Sequence, residues 1–503
     1  MNSSIKKTDH LSTDHLLGDL KVHTIRSTGV TFVAQGFKFV IQLTSIAVLA
    51  RLLSPSDFGL VAMVTILTGL LSKFMDGGLS MATIQRPDVT QGQISNLFWI
   101  NVALGLLLTI LTIACAPALA LVYDEPRLTW IGVVLSMSFL IGGLAVQHTA
   151  LLKRQMQFKV LARIDVISMT CGVLAGIVSA WGGLGYWSLV ILTLSTTASQ
   201  VILVWLASDW CPGAPLRGTG VRPMLRFGIS LTGANFVGYL ASNLTPFVVG
   251  LVGGAQQLGL YNRANTLTAI PSTQILPPVM NVAQPALCRV AGDPERFRRA
   301  ALSLIRKVSL LTMFITVSMV VLADWIVDIF LGPGWDAAVP MFRLLAVFSL
   351  VEPVATITSI LLIAAGKANA LLKWKLMTLG IIAVSVAIGS IWGSMGIIAA
   401  YSLSGLLIRL PFFLVYASRH IPVSRTDFLN VFLPFLALAL FLLLALIGLR
   451  SSLEIVNATT GIVIFLPVAL VFYLLAGLTI KDVRIEIMDI YQTTLVTIKG
   501  RKG

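Results

Sequence analysis

Arg51-Leu52-Leu53-Ser54-Pro55-Ser56-Asp57-Phe58-Gly59-Leu60 falls, at an offset of 200 residues, on Leu251-Val252-Gly253-Gly254-Ala255-Gln256-Gln257-Leu258-Gly259-Leu260. The register continues to Thr65-Ile66-Leu67 against Thr266-Leu267 with a one-residue slip. Each segment is a polar connector between two long apolar runs. A second pair follows in the same order, Trp181-Gly182-Gly183-Leu184-Gly185 and Trp392-Gly393-Ser394-Met395-Gly396. One short likeness is chance. Two, in one order and at corresponding connectors, point to a duplication.

The flanking runs define the solvent. Of 503 residues, 56% are hydrophobic and 11% charged, and the mean hydropathy is +0.91. A soluble domain carries about 25% charged residues. A spanning helix takes roughly 20 apolar residues, and by that measure residues 28–479 hold fourteen spans. Among them are 128–151, 258–288, 301–330, 338–364, 368–391 and 395–418. The expected fold is all-α and integral to the membrane. Residues 1–27 form a cytosolic arm, 28–208 an N-lobe of six helices and 209–223 a cytosolic linker. Residues 224–420 form a C-lobe of six helices, 427–479 two C-terminal helices and 480–503 a cytosolic tail. Six is even, so both lobes enter the membrane the same way up, related by an axis along its normal.

Charge fixes the orientation. The formal net charge is +15, which on a soluble protein would suggest nucleic acid. Its distribution says otherwise. With the N-terminus inside, 28 of the 36 Lys and Arg lie in cytosolic segments. Four (Arg51, Arg127, Arg263, Arg450) lie outside, and Lys38, Lys73, Arg343 and Arg409 lie within spans. That is the positive-inside pattern, with both termini cytoplasmic and no nucleic-acid partner. The four cysteines have no metal-ligand spacing. No phosphate-binding Gly-rich loop is present, and no metal or cofactor is expected. All connectors are short, which leaves no catalytic loop for a polymerase or ligase. The chain is not expected to be an enzyme.

Ala50-Arg51-Leu52-Leu53-Ser54-Pro55-x-Asp57-Phe58-Gly59 resembles the start of the Wzx-like polysaccharide exporters of the multidrug/oligosaccharidyl-lipid/polysaccharide superfamily. Asp76-Gly77-Gly78-Leu79-Ser80, Gly185-Tyr186-Trp187-Ser188-Leu189, Leu258-Gly259-Leu260-Tyr261-x-Arg263-Ala264 and Gly334-Trp335 follow in that family's order. The resemblance implies a V-shaped pair of lobes in a bacterial inner membrane. It implies flipping of an undecaprenyl-diphosphate-linked glycan amid membrane lipids, with a polysaccharide polymerase and a chain-length regulator as partners. An ion-coupled multidrug or small-molecule exporter of the same superfamily is the alternative.

Ionisable groups within a span are costly and face a cavity or a partner. Lys38, Lys73, Arg263 and Arg409 are candidates to bind the diphosphate and acidic sugars, because guanidinium and ammonium groups donate to phosphate oxygens. Asp76 is three residues from Lys73, on one helix face, so it is a structural pair or an ion-coupling group. Glu352, before Pro353, is a second such carboxylate. Pro271, Pro277 and Pro278 remove backbone donors from the eighth span and mark a kink or gate. The alternative for each cation is a structural ion pair, and for the prolines a static kink.

Overall fold

The computed structural model describes residues 20–75, 79–85, 89–216, 222–274, 276–350, 352–452, 457–481 and 483–489. Its elements among these residues are helices, without a strand. The described residues group into two units, one from Met1–Asn243 with Gly253–Gly259, the other from Leu244–Val252 with Leu260–Gly503. Asp76 lies outside the described residues.

The first unit holds α1 (Leu20–Leu52), α2 (Pro55–Met75), α3 (Leu79–Gln85), α4 (Gln91–Tyr123), α5 (Arg127–Gly143), α6 (Val146–Arg154), α7 (Phe158–Trp181) and α8 (Trp187–Ala207). The start of α4 is a capping box, in which Thr90 Oγ1 accepts from the Gln93 amide while the Gln93 side chain accepts from Thr90 N–H. Two donors that a helix end leaves unpaired are satisfied there. Lipid tails are as apolar as leucine, so helices in a membrane associate by close packing of small residues. Gly172 fits this rule. A Cβ there would stand 1.8 Å from Thr196 Oγ1 of α8. Gly105 brings α4 against α5, where a Cβ would meet the Phe139 carbonyl at 2.6 Å.

The connector copies meet each other within this unit. A Cβ on Gly59 would stand 1.7 Å from the Ala255 carbonyl oxygen, and one on Gly259 would stand 1.7 Å from that of Pro55. Residues 59 and 259 are equivalent at the 200-residue offset, and so are 55 and 255. The contact is therefore reciprocal, as in any interface built on a two-fold axis.

After α8 the chain is extended and lies along the N-terminal turns of α4. Gly213 N–H donates to Ser95 Oγ (2.9 Å), Leu216 N–H to Asn96 Oδ1 (2.8 Å) and Asn96 Nδ2 to the Leu216 carbonyl (2.6 Å). Trp99 Nε1 donates to the Gly213 carbonyl and Gln91 Nε2 to that of Cys211, both at 2.9 Å. The backbone of 211–216 thus finds in side chains the partners that a helix would have supplied.

α9 (Arg222–Thr268) contributes to both units. It is broken at Gly254, whose φ of 68° and ψ of −170° belong to a region open essentially to glycine alone. The second unit continues with α10 (Ile270–Gln274), α11 (Leu276–Val290), α12 (Pro294–Val321), α13 (Ala323–Phe330), α14 (Ala338–Phe348), α15 (Glu352–Ala364), α16 (Ala368–Gly389), α17 (Gly393–Ser404), α18 (Leu410–Ala417), α19 (Arg425–Ser452) and α20 (Ala458–Thr479). A π-helical turn, Gly405–Arg409, joins α17 to α18. α19 and α20 pack on α12 and α13 through Met313, Trp325, Phe435, Leu442 and Phe465. α16 and α17 fold back on each other at Gly393 (φ 71°), so that a Cβ on Gly389 would touch the Gly396 carbonyl at 2.5 Å.

Eleven helices among the described residues are long and apolar enough to cross a membrane, and twelve if the α5–α6 pair, bent by 40°, is one span. The sequence suggests fourteen. The difference lies in two stretches that run together by length and apolarity, Phe236–Thr268 and Asn369–Ala417. Each contains one of the glycine breaks just described. Four spans that read as single helices are interrupted. Span 128–151 bends between α5 and α6, and 301–330 divides into α12 and α13. Span 338–364 divides into α14 and α15, and 258–288 gives the end of α9, then α10 and α11. Apolarity is continuous across these interruptions, and apolarity is what the span reading measures.

Candidate functional site

Most of the intramembrane cations have protein partners. Lys38 Nζ of α1 stands 3.0 Å from Asp165 Oδ2 of α7. Lys73 lies over the Tyr239 ring, 5.4 Å from its centroid, close enough for a cation–π attraction. Tyr239 in turn donates to the Ile66 carbonyl at 2.9 Å. In the second unit Arg263 Nη2 donates to Asn262 Oδ1 at 3.0 Å.

Arg409 ends the π-helical turn and is buried, with 8% of its surface exposed. Its Nη2 donates to the Tyr401 carbonyl at 2.6 Å. Its guanidinium lies over the rings of Tyr401 and Phe348, 4.4 and 4.7 Å from their centroids. A π-turn inserts one residue per turn and re-aims the side chain. Here it points Arg409 back along α17. Glu352, the first residue of α15, accepts from Ser272 Oγ of α10 at 3.1 Å. Ser272 adjoins Pro271, while Pro277 and Pro278 occupy the first turn of α11. Glu352 and the proline segment are therefore brought together. A proline-broken chain leaves polar groups unpaired inside a span, and the Glu352–Ser272 bond is one way they are satisfied.

Among the described residues each unit holds a cavity of some size. In the second unit about 490 Å³ is lined by Val320, Val321, Leu443 and Ile447 together with Arg343 and Arg450. Asp324 holds both arginines. Arg450 donates to its carboxylate (Nη1–Oδ1 2.8 Å) and Arg343 Nη2 stands 3.7 Å from Oδ1.

The first unit's cavity, about 410 Å³, has a mixed lining, with Met75, Phe139, Ala150 and Val201 beside its polar groups. The 40° bend between α5 and α6 borders it through Gly142, Ala145 and Val146. Ser72 of α2, Ser138 of α5 and Thr193 and Thr197 of α8 line it. Each hydroxyl donates its proton to its own helix, to Gly69, Leu135, Leu189 and Thr193 carbonyls at 2.6–3.0 Å. A hydroxyl has one proton and two lone pairs, so these four face the cavity as acceptors. Thr149 and Lys153 of α6 and Gln200 of α8 complete the lining. None of their side chains has a partner among the described residues. A search for charges within spans passes over Gln200, which carries none. The signal was its amide, placed in the apolar run 187–207.

The arrangement defines a multi-span helical membrane protein with a cavity in each of its two units. Residues 48–340 match the family described as polysaccharide biosynthesis protein, and the chain belongs to that family. It is 27% identical over 340 residues to the teichuronic acid biosynthesis protein TuaB of Bacillus subtilis, covering 67% of this chain and 70% of that one. It is 24% identical over 424 residues to the lipopolysaccharide biosynthesis protein WzxC of Escherichia coli, covering 83% and 85%. Its fold is that of the lipid II flippase MurJ in an inward closed conformation (TM-score 0.69, 13% identity, 94% of this chain and 100% of that one). An inward-facing multidrug resistance MATE transporter of the MOP superfamily is also similar (TM-score 0.59, 16% identity, 76% and 94%). The chain thus shares the fold of that superfamily.

Proposed function

We propose that this chain flips an undecaprenyl-diphosphate-linked oligosaccharide repeat unit from the cytosolic to the periplasmic leaflet of a bacterial inner membrane, by alternating access. The observation that carries the reading is a cavity within the apolar helices of a polysaccharide-biosynthesis family member that is lined by hydroxyls, the Gln200 amide and the Lys153 ammonium beside apolar side chains. Polar and ionisable groups among apolar helices are costly, and they mark substrate pathways. The relatives' names support the same substrate class, since they include biosynthesis proteins for teichuronic acid and lipopolysaccharide. The fold shared with a lipid II flippase extends over 94% of the chain, against 76% for the multidrug transporter. That favours a lipid-linked substrate over a small cationic drug.

The membrane arrangement belongs to the same reading. At about 1.5 Å per residue, the 49 residues of Asn369–Ala417 would run to more than twice the ~30 Å hydrocarbon thickness. Two crossings broken at Gly393 account for them. Two more broken at Gly254 raise the total to fourteen, with both termini cytosolic. The reciprocal glycine contact supports two parallel six-helix lobes related along the membrane normal. Lys38, Lys73, Arg263 and Arg409 are then the intramembrane cations available to an anionic substrate once their present partners part. Glu352 and Asp76 are the carboxylates available for ion coupling, and Pro271, Pro277 and Pro278 the place where the eighth span bends. The chain transfers its substrate without chemistry, and a polymerase and chain-length regulator act on the product.

The test is transbilayer movement in proteoliposomes of a fluorescent polyprenyl-diphosphate-linked disaccharide, read by impermeant quenching. Protein-dependent transfer is expected. Transfer no faster than in protein-free vesicles overturns the proposal, and efflux of a cationic dye in its place establishes the drug-exporter alternative.

A further inference from the structure

The 410 Å³ cavity of the first unit carries two kinds of polar group beside its apolar lining. Ser72, Ser138, Thr193 and Thr197 have each given their proton to a carbonyl of their own helix, and so offer only lone pairs. The Lys153 ammonium, the Gln200 amide and the Thr149 hydroxyl are able to donate. Lys153 lies in the last turn of α6 and is exposed. No carboxylate among the described residues lies within ion-pair distance of it. Lys38, Lys73 and Arg409, by contrast, have the partners described above. Phosphate oxygens only accept hydrogen bonds, while sugar hydroxyls can donate. A ligand with both kinds of group matches the donors and acceptors that line this cavity. The volume is within the roughly 300–1,000 Å³ typical of small-ligand sites.

We propose that this cavity, between α2, α5, α6 and α8, is the docking site for the phosphate-bearing end of the substrate. Lys153, Gln200 and Thr149 hold the phosphate, and the four acceptor hydroxyls hold the first sugar ring. The inference rests on the flippase reading above and assigns its first contact. The same phosphate-next-to-hydroxyl chemistry occurs in phosphatidylglycerol, so the source must be separated by experiment.

The probe is a short-chain prenyl diphosphate N-acetylglucosamine, titrated by tryptophan fluorescence into the full chain in nanodiscs. Lys153→Gln should weaken binding about tenfold, as expected for loss of one charge-assisted contact, and flatten its salt dependence. Lys153→Arg should restore both. Gln200→Leu should weaken the sugar diphosphate by a similar factor. Short-chain phosphatidylglycerol should compete poorly. Unchanged affinity and salt slope in Lys153→Gln, with wild-type flipping intact, overturns the docking site and leaves the flippase reading standing. Equal competition by phosphatidylglycerol makes the cavity a phospholipid site and also overturns the proposal. Wild-type protein that neither binds nor flips the probe overturns both.

Discussion

At the scale of single residues, a charge's depth is legible in the sequence and its partner is not. Lys38 is placed inside the membrane by counting along its apolar run. The carboxylate that meets it, Asp165, is 127 residues away, and only the packing of α1 on α7 joins them. Asp165, near a helix end, is free by its position alone to reach water. We expect Lys38→Met to lower expression and thermal stability by stranding that carboxylate, and Asp165→Asn in the same chain to restore both, measured by thermal unfolding in detergent. Additive losses in the double variant would show that the pair is not coupled. The glycines of the repeat make a sharper case. Gly59 and Gly259 read from sequence as markers of a connector. Their Cα atoms prove to be sites of backbone contact. Gly259→Ala places a methyl 1.7 Å from the Pro55 carbonyl. It should destabilise by at least the ~1–3 kcal/mol of an overpacked site, seen as a lower unfolding temperature. Gly292→Ala, with nothing within 4 Å, is the control.

At the scale of elements, helices were legible from apolar length, and the break at Gly393 was legible as the connector between spans 368–391 and 395–418, but the interruptions inside 128–151, 258–288, 301–330 and 338–364 were not. Those leave the apolar run unbroken, while at Gly393 a positive φ of 71° turns the chain. Gly393→Ala forces a side chain into a conformation costing about 1–3 kcal/mol. Limited proteolysis between α16 and α17 should accelerate accordingly. The stretch 209–223 reads from sequence as a break in the apolar runs, but the docking of residues 211–216 on α4 does not, since their partners Gln91, Ser95, Asn96 and Trp99 precede them by more than a hundred residues. Asn96→Ala removes two of its hydrogen bonds, at about 0.5–1.5 kcal/mol each. The Leu216 amide should then exchange with deuterium roughly tenfold faster, while amides in the middle of α4 stay protected. Unchanged exchange at Leu216 would mean the strap is held elsewhere.

For the whole molecule, the proposed topology makes a prediction that needs no substrate. Cys211 and Cys288 are exposed; in the fourteen-span arrangement Cys211 falls in the cytosolic linker and Cys288 is the last residue of span 258–288, at its cytosolic end. An impermeant maleimide should label both in inverted vesicles and neither in intact spheroplasts. Labelling of either from outside overturns the arrangement. The 200-residue repeat was legible because connectors keep polar and glycine signatures that apolar spans lack. The first unit's cavity was not, because four of its lining groups are serines and threonines that a helix also uses to bond itself. The reciprocal seam of Gly59 with Ala255 and Gly259 with Pro55 carries a consequence for descent. On the duplication that the repeat points to, each copy became part of the other's steric environment, so a mutation at any of these four positions is judged against the opposite copy. Elsewhere the repeats were free to drift until little likeness remained, but at this seam they inherit as one.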